Sequence, residues 1–275
     1  GVFLRFNWNT ALASIPDQDC GIYYGSQFVH KSLDCGKSWE IISPDLTTND
    51  TTKQKQHQSG GLTIDATNAE NHTTILCIAP SQVDPNVIWV GTDDGYLQLT
   101  RDGGKSWANL TSKITGSPAG AWIPQIEVST YLAGEAFVVM NHYRRGDWGA
   151  YLFHTTDYGQ TWNKIVTDQQ VTSFVHCIAQ DPVVPELLFL GADDGMYVST
   201  DKGKSWARFP SKIFPRVPTL DLKIHPTDHS LAIATCGRAL WVVDNLLPLR
   251  EIARNRSVLG KPFKMFPVQD ATQAQ

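Results

Sequence analysis

The sequence is poor in charged residues and lacks long apolar runs. Asp, Glu, Lys and Arg make up only 18% of the 275 residues, and the net charge is −4. A chain without a basic excess carries no electrostatic surface for nucleic acid, and a chain without about 18 consecutive apolar residues has no membrane-spanning helix. No stretch repeats its apolar residues with a helical period, so no amphipathic helix is predicted. The composition therefore predicts a protein built mainly from short strands and turns.

Cysteine is also scarce, and its five residues form an odd set. Cys77 and Cys177 occupy equivalent positions in two similar apolar segments, so we interpret both as small buried hydrophobic side chains. Cys35 stands at a variable position of a turn, and neither Cys20 nor Cys236 has an evident partner. The sequence therefore predicts no disulfide framework.

Signals for export are present but limited. Sequons for N-glycosylation begin at Asn49, Asn71, Asn109 and Asn255. The first residues show neither an initiator Met nor a signal-peptide pattern, so we expect a mature protein or an excised piece of one. The expected location is secreted, at the cell surface or in the periplasm.

One eight-residue phrase occurs four times, at residues 32–39, 100–107, 155–162 and 199–206. Its pattern is [Ser/Thr]-x-Asp-x-Gly-x-[Ser/Thr]-Trp, and each copy lies between two short apolar segments. The Asp can accept backbone N–H bonds within a turn, the Gly can take positive φ, and the Trp brings a large apolar surface to the next strand. These structural roles fall to Asp34, Gly36, Trp39, Asp102, Gly104, Trp107, Asp157, Gly159, Trp162, Asp201, Gly203 and Trp206.

The segments around the phrase repeat as well. Two of the units align without a gap at an offset of 100 residues, as Gly95 and Gly195 show. Each unit holds short runs rich in β-branched and aromatic residues, bounded by Gly, Pro and Asp. A unit of four antiparallel strands every ~40–60 residues is a propeller blade. The sequence thus predicts an all-β chain, a β-propeller of four-stranded antiparallel blades over residues 1–250, with about five blades. Residues 251–275 would form a C-terminal extension or begin a following domain.

The repeated turn is the Asp-box of bacterial-neuraminidase-type (BNR) repeats. From about residue 5 to residue 266 the chain resembles secreted bacterial proteins with sortilin-like or BNR-type propellers, most clearly at residues 89–95 and 100–107. Such proteins are often labelled glycosyl hydrolases, but that label follows the scaffold. Because members of this family are usually longer, the resemblance implies that the chain is part of a larger propeller. In the alternative, five blades close alone and residues 2–6 supply the outer strand of the fifth.

Propeller ligands bind on the face that carries the loops between second and third strands and between blades, opposite the Asp-boxes. Ten residues on this loop face are candidates for ligand binding: Asp93, Asp94, Trp122, His142, Arg144, Arg145, Trp148, Asp193, Asp194 and Arg216. Each has a simpler interpretation. The two Asp-Asp-Gly runs are natural turn sequences, the arginines suit a solvated loop tip, and the tryptophans could pack against a neighbouring blade. The polar loop at residues 43–72 is either functional or mobile.

The motifs expected of an enzyme are mostly missing. The sialidase Phe/Tyr-Arg-Ile-Pro motif is absent, and a xyloglucanase-like carboxylate pair could be drawn only from the four loop-face aspartates. No metal-ligand spacing, phosphate-binding loop or nucleophile elbow occurs, so no metal or other cofactor is expected. The leading hypothesis is a non-catalytic, exported propeller module that binds protein or glycan or serves as a scaffold, with the remaining blades of a larger chain as a further partner. The alternative is part of a glycoside hydrolase.

Overall fold

The computed structural model describes residues 3–54 and 71–266, and within them it confirms an all-β architecture. Five antiparallel sheets follow one another along the chain, each built from consecutive strands. The chain forms two compact units, residues 1–164 with the first three sheets and residues 165–275 with the last two. This order, in which each sheet is a local meander, is that of propeller blades.

The first unit holds three four-stranded sheets. The first sheet contains β1 (Leu12–Ser14), β2 (Ile22–Gly25), β3 (Val29–Ser32) and β4 (Glu40–Ile41). The second contains β5 (Ile75–Pro80), β6 (Ile88–Thr92), β7 (Leu97–Thr100) and β8 (Ala108–Asn109). The third contains β9 (Trp122–Val128), β10 (Ala136–His142), β11 (Asp147–Thr155) and β12 (Asn163–Lys164).

The second unit holds one four-stranded and one three-stranded sheet. The fourth sheet contains β13 (Val175–Gln180), β14 (Leu188–Ala192), β15 (Gly195–Ser199) and β16 (Ala207–Arg208). The fifth contains β17 (Thr219–Ile224), β18 (Leu231–Thr235) and β19 (Leu240–Val243). The helix α1 (Leu247–Arg254) follows the fifth sheet and crosses the domain boundary expected after residue 250, which stays a prediction.

Each Asp-box is a closed set of local hydrogen bonds. In the second copy, Oδ1 of Asp102 accepts from the backbone N of Ser106 at 2.9 Å and from the Thr100 hydroxyl at 2.8 Å. The hydroxyl of Thr100 in turn accepts from the backbone N of Gly104 at 2.9 Å. Every residue before the box glycine also has positive φ, as Cys35 does at 57°, so the chain reverses within two left-handed residues. The turn geometry predicted from the phrase is therefore correct in kind.

The Asp-box carboxylates are held in their ionised form. Hydrogen bonds from the serine or threonine four residues later, together with weaker ones, lower the pKa of Asp34, Asp102 and Asp157 to about 2. At Asp201 partial burial opposes this shift, but the hydrogen bonds from Ser205 and Ser199 still lower the pKa. These carboxylates consequently stabilise the fold only while they are ionised.

We expect the protein to lose stability as the pH falls. The folded-state pKa of Asp102 lies below its ordinary value of 3.8, so its contribution is complete above about pH 5 and is lost toward pH 2. Urea midpoints of the wild type and of Asp102→Asn, measured at pH 6 and pH 3, check this. The variant should start lower at pH 6 and fall less on acidification, since its amide does not titrate. An identical fall in both proteins would contradict the assignment.

Three features depart from the sequence-based expectations. Cys20 and Cys35 form a disulfide, although the sequence predicts none, because the variable turn position of Cys35 points to no partner. The helix α1 was not predicted either, because its eight residues are too few to show a convincing period. Residues 3–6 form no strand, and Phe3 and Arg5 instead hydrogen-bond to Gln27 of the first unit. The described part of this segment therefore does not complete the fifth sheet, while residues 1–2 lie outside the described residues.

The interior is apolar, as the pattern predicts. In the first unit Trp89, Phe137 and Phe153 are fully buried, and in the second unit Phe189 and Tyr197 are. Cys177 is buried and Cys77 partly buried, and the Sγ of Cys77 donates to the Ile123 carbonyl at 3.3 Å, so both act as small core residues. Among the described residues, no helix has the length and apolar character needed to cross a membrane.

Candidate functional site

Asp93 follows β6 at the loop end of the second sheet, and its carboxyl is buried and fully bonded. Oδ1 accepts from the backbone N of Thr74 at 2.8 Å, and Oδ2 accepts from the Thr74 hydroxyl at 2.8 Å and from the Asn7 amide at 3.2 Å. Burial raises the pKa of Asp93 to about 7, against the opposing effect of the hydrogen bonds from Thr74. The side chain ties the start of β5 and the N-terminal segment to the end of β6.

Asp94 fastens the loop that follows the first sheet. Its Oδ2 accepts from the backbone N and the hydroxyl of Thr48 at 2.8 and 2.7 Å, and its Oδ1 accepts from the Thr92 hydroxyl at 2.5 Å. His72 is buried nearby, and burial lowers its pKa to about 4 although Asp94 opposes the shift. Thr48 thus holds the first part of the polar loop of residues 43–72, and the backbone N of Asn71 donates to the Phe6 carbonyl at 3.0 Å near its end, while residues 55–70 lie outside the described residues.

The equivalent aspartates of the second unit contact basic side chains. Oδ1 of Asp193 lies 3.3 Å from Nε2 of His176. Oδ2 of Asp194 accepts from Nη1 of Arg208 and from the Thr172 hydroxyl, both at 2.7 Å. Arg216 is exposed in the turn before β17.

The third sheet has the longest central hairpin, and four candidate residues lie at its tip. The strands β10 and β11 are joined by a single 3-10 turn, Tyr143–Arg145, which begins after the half-buried His142 and leaves Arg145 exposed. Trp148 lies early in β11, and the first residue of β9, Trp122, pairs with Asn141 of β10. The strand register therefore brings Trp122 beside the turn that carries Arg144.

Arg144 holds the aromatic side chains of this tip together. Its guanidinium carbon lies 3.4 Å from the ring centroid of Trp122 and 4.4 Å from that of Tyr143. The ring of Tyr143 lies 6.2 Å from that of Trp148 at a tilt of 34°. Trp148 remains 61% exposed. We call Trp122, Tyr143, Arg144 and Trp148 the tip cluster.

The structure thus separates the ten sequence candidates into groups. Three of them meet in the tip cluster, with His142 and Arg145 directly beside it, and Asp93 is near enough for its charge to act on Arg144. Sequence reasoning did not select Tyr143, although it lies in the same insert as Arg144. An aromatic residue next to an arginine at a hairpin tip was the available signal, since such pairs stack.

The tip cluster can bind a flat apolar surface, but it carries no chemistry of its own. Exposed aromatic rings offer a face for stacking, and the cation–π contacts of Arg144 limit their motion. The described residues contain no group of three or more His, Cys, Asp or Glu side chains that could hold a metal ion. Of the residues in this cluster, none is a carboxylate that could serve as general acid or base.

Comparisons with known proteins agree with this architecture. Residues 150–247 match the Sortilin-Vps10 family model, described as sortilin, neurotensin receptor 3. Over 144 residues the chain is 32% identical to the oligoxyloglucan-reducing end-specific xyloglucanase of Emericella nidulans, a match that covers 48% of this chain and 16% of that protein. The chain thus spans about one sixth of the length of this curated relative.

Solved structures show the same fold. The GH74 xyloglucanase from Xanthomonas campestris superposes with a TM-score of 0.62 at 20% identity, over 86% of this chain and 36% of that chain. An ancestral GH74 enzyme superposes with a TM-score of 0.59 at 17% identity, over 86% of this chain and 29% of that chain. The four Asp-box turns, the succession of meander sheets and these matches support the resemblance of the chain to Asp-box β-propeller proteins of the sortilin-like type.

Proposed function

We propose that this chain is a non-catalytic, ligand-binding part of an exported propeller, and that the tip cluster binds a glycan. The observation that carries the proposal is the exposed Trp148 beside Tyr143, which Arg144 braces against Trp122. A contiguous exposed apolar patch, unlike a single exposed apolar residue, is a mark of an interaction site. Because the rings are already held in place, a ligand orders little on binding.

The proposed ligand class follows from the shape and polarity of the tip cluster. Pyranose rings present flat C–H faces to aromatic rings and hydroxyls to neighbouring polar groups, and His142 and Arg145 adjoin the cluster. The curated relative is named as a xyloglucanase that acts on oligoxyloglucan, so neutral β-glucan oligosaccharides are the first ligands to examine.

The state of the loop-face carboxylates favours binding over hydrolysis. Glycosidases of the usual kind need two carboxyl groups facing a sugar across a cleft. In this chain Asp93 is buried among Thr74 and Asn7, Asp94 is bonded to Thr48, and Asp194 is paired with Arg208. These three carboxyl groups are engaged in contacts within the protein, while the fourth, Asp193, lies 3.3 Å from Nε2 of His176 with its side chain 40% exposed.

Export is supported by the disulfide and by the exposure of most sequons. The bond between Cys20 and Cys35 is of a kind that persists in oxidising compartments. Asn49, Asn109 and Asn255 are exposed, so a glycan could be attached there. Asn71 is buried and its amide donates to the Phe6 carbonyl, so this sequon is not available in the folded chain.

The experiment is a titration of the chain with xyloglucan, cellulose and mixed-linkage glucan oligosaccharides by calorimetry, with reducing ends assayed in the same samples. We expect saturable binding to at least one of them and no increase in reducing ends. Binding to none of a broad glycan panel would overturn the glycan proposal.

The second candidate function, part of a glycoside hydrolase, rests on the names of the curated relatives. The same titration separates it from the first. Release of reducing ends that Asp93→Asn or Asp194→Asn abolishes would establish hydrolysis and contradict the non-catalytic proposal.

A further inference from the structure

Three of the four Asp-box turns share a contact with a residue outside the turn. The partner is always the aliphatic residue three positions after an Asp-box tryptophan, namely Ile42, Leu110 or Ile165. A Cβ placed on Gly104 would lie 2.7 Å from the Ile42 carbonyl oxygen, and one on Gly159 would lie 2.6 Å from Leu110. The approach is equally close in the second unit, where a Cβ placed on Gly203 would lie 2.8 Å from the Ile165 side chain. Glycine is therefore needed in these turns for close approach as well as for positive φ.

The tryptophan of the turn reinforces this contact. Nε1 of Trp107 donates to the Ile42 carbonyl at 3.1 Å, and Nε1 of Trp206 donates to the Ile165 carbonyl at 2.8 Å. These two Asp-boxes thus bind the segment that follows the fourth strand of a preceding blade repeat through a glycine surface and an indole N–H. In the third copy the glycine makes the contact alone, because Nε1 of Trp162 donates to the Gly159 carbonyl of its own turn at 3.0 Å.

The first Asp-box has the same residues but no such partner among the described residues. A Cβ on Gly36 would meet only the ring of Trp39, at 3.5 Å. The Trp39 indole is 44% exposed, whereas that of Trp206 is 8% exposed. Its Nε1 reaches only the Gly36 carbonyl within its own turn, at 3.0 Å.

The sheet beside this turn is exposed on the same side at its two outer strands, whereas His30 in its interior is buried and the ring of Tyr24 contacts that of Phe6. The register aligns Leu12, Tyr24, His30 and Ile41 in one row across the first sheet, and the ring of Trp39 lies 5.9 Å from that of Tyr24. Leu12 and Ile41 are both exposed. By contrast, β6 and β14 are buried along their whole length. We call Leu12, Tyr24, Gly36, Trp39 and Ile41 the first-sheet face.

We infer that the first-sheet face is the docking surface of a further Asp-box blade. The occupant would place an aliphatic side chain, three residues after its own Asp-box tryptophan, against Gly36, and its backbone carbonyl would accept from Nε1 of Trp39. This repeats the contacts that Ile42 makes with Gly104 and Trp107. The two solved GH74 chains of the same fold extend well beyond the part that matches this chain, which covers only 36% and 29% of them. The inference does not depend on the proposed glycan site.

Hydroxyl-radical footprinting of tryptophans tests the inference, on the 275-residue chain and on the product of the complete natural gene. We expect Trp39 to react about fivefold more slowly in the gene product, as the exposed fractions of 44% and 8% for Trp39 and Trp206 suggest. Trp148 serves as the exposed reference and Trp206 as the buried one in both samples. Unchanged reactivity of Trp39 in the gene product would overturn the inference. Protection that grows with concentration of the 275-residue chain would also overturn it and would assign the face to a second copy.

A pair of variants keeps the test independent of footprinting. Trp39→Ala should lower the Tm of the natural gene product clearly more than it lowers the Tm of the 275-residue chain, because only the former has a covered indole. Trp107→Ala, whose indole is covered within this chain, should lower both by similar amounts. Equal shifts for Trp39→Ala in the two proteins would contradict the docking surface.

Discussion

Replacing Trp148 with Ala should weaken glycan binding by roughly tenfold. A sugar ring that covers one face of the indole removes on the order of 60 Å² of apolar surface from water, which corresponds to about 1.5 kcal/mol. Trp148 is 61% exposed and lies near the turn between β10 and β11, so its removal should leave the free energy of unfolding nearly unchanged. Calorimetric titration with the tightest glycan of the panel, with urea unfolding in parallel, checks both parts.

Two further variants show whether the effect belongs to the tip cluster. Arg144→Met removes the cation over Trp122 and Tyr143 but keeps the length of the side chain, so it should weaken binding less than Trp148→Ala by loosening the rings. Trp39→Ala removes another exposed indole, which lies in the Asp-box turn of the first sheet rather than in the hairpin tip of the third. This variant should leave binding unchanged. Equal loss in Trp39→Ala and Trp148→Ala would show that the tip cluster is not the site.

Replacing Arg250 with Ala should cost the second unit about 3–5 kcal/mol, because it leaves a buried carboxylate without its partner. Arg250 and Asp181 have side chains that are 1% and 0% exposed, and Nε of Arg250 donates to the two carboxylate oxygens at 3.1 and 2.9 Å. The same guanidinium contacts Nδ1 of His229 at 2.5 Å through Nη1. Oδ1 of Asp181 also accepts from the backbone N of Val184, so the pair ties α1 to the turn between β13 and β14.

Hydrogen exchange of the amides of the second unit, together with urea unfolding, measures this loss. Arg254→Ala is the matched control, since Arg254 lies in the same helix and is exposed, and it should change stability by no more than about 0.5 kcal/mol. Asp181→Asn keeps an acceptor for the backbone N–H groups of Val183 and Val184. If these hydrogen bonds matter more than the charge of Asp181, Asp181→Asn should lower the free energy of unfolding by less than Arg250→Ala does. Equal stability of Arg250→Ala and Arg254→Ala would show that the ion pair contributes nothing.

The blades could be predicted because their turns are local. In the Asp-box, Asp102 is hydrogen-bonded to Thr100 two residues earlier and to Ser106 four residues later, so all residues of the motif lie within one short segment of the sequence. In each sheet the paired strands are neighbours in the chain, and short segments of alternating apolar and polar residues predict them. The helix α1 could not be predicted from the sequence because its buried face consists of Arg250 and Ala253 and shows no long apolar period.

The candidate site was predictable only in part. The insert before Trp148 was visible as an interruption of the repeat, but the Asp-Asp-Gly runs gave no sign that Asp93 would be buried against Thr74 and Asn7. Those partners lie 19 and 86 residues away, and a turn sequence looks the same with or without them. The disulfide between Cys20 and Cys35 was hidden for a similar reason, since an odd number of cysteines suggests no particular pair.

The amino-acid sequence by itself determined the repeating blade, its Asp-box turns and the family resemblance, because these depend on hydrogen bonds and alternation within a few residues. Only the tertiary structure decided which loop-face residues remain available to a ligand. Arg144 meets Trp122 across 22 positions of sequence, and Arg250 meets Asp181 across 69, through strand register and packing. Burial, which depends on every neighbouring segment at once, turned Asp93 and Asp94 into scaffold and left Trp148 exposed.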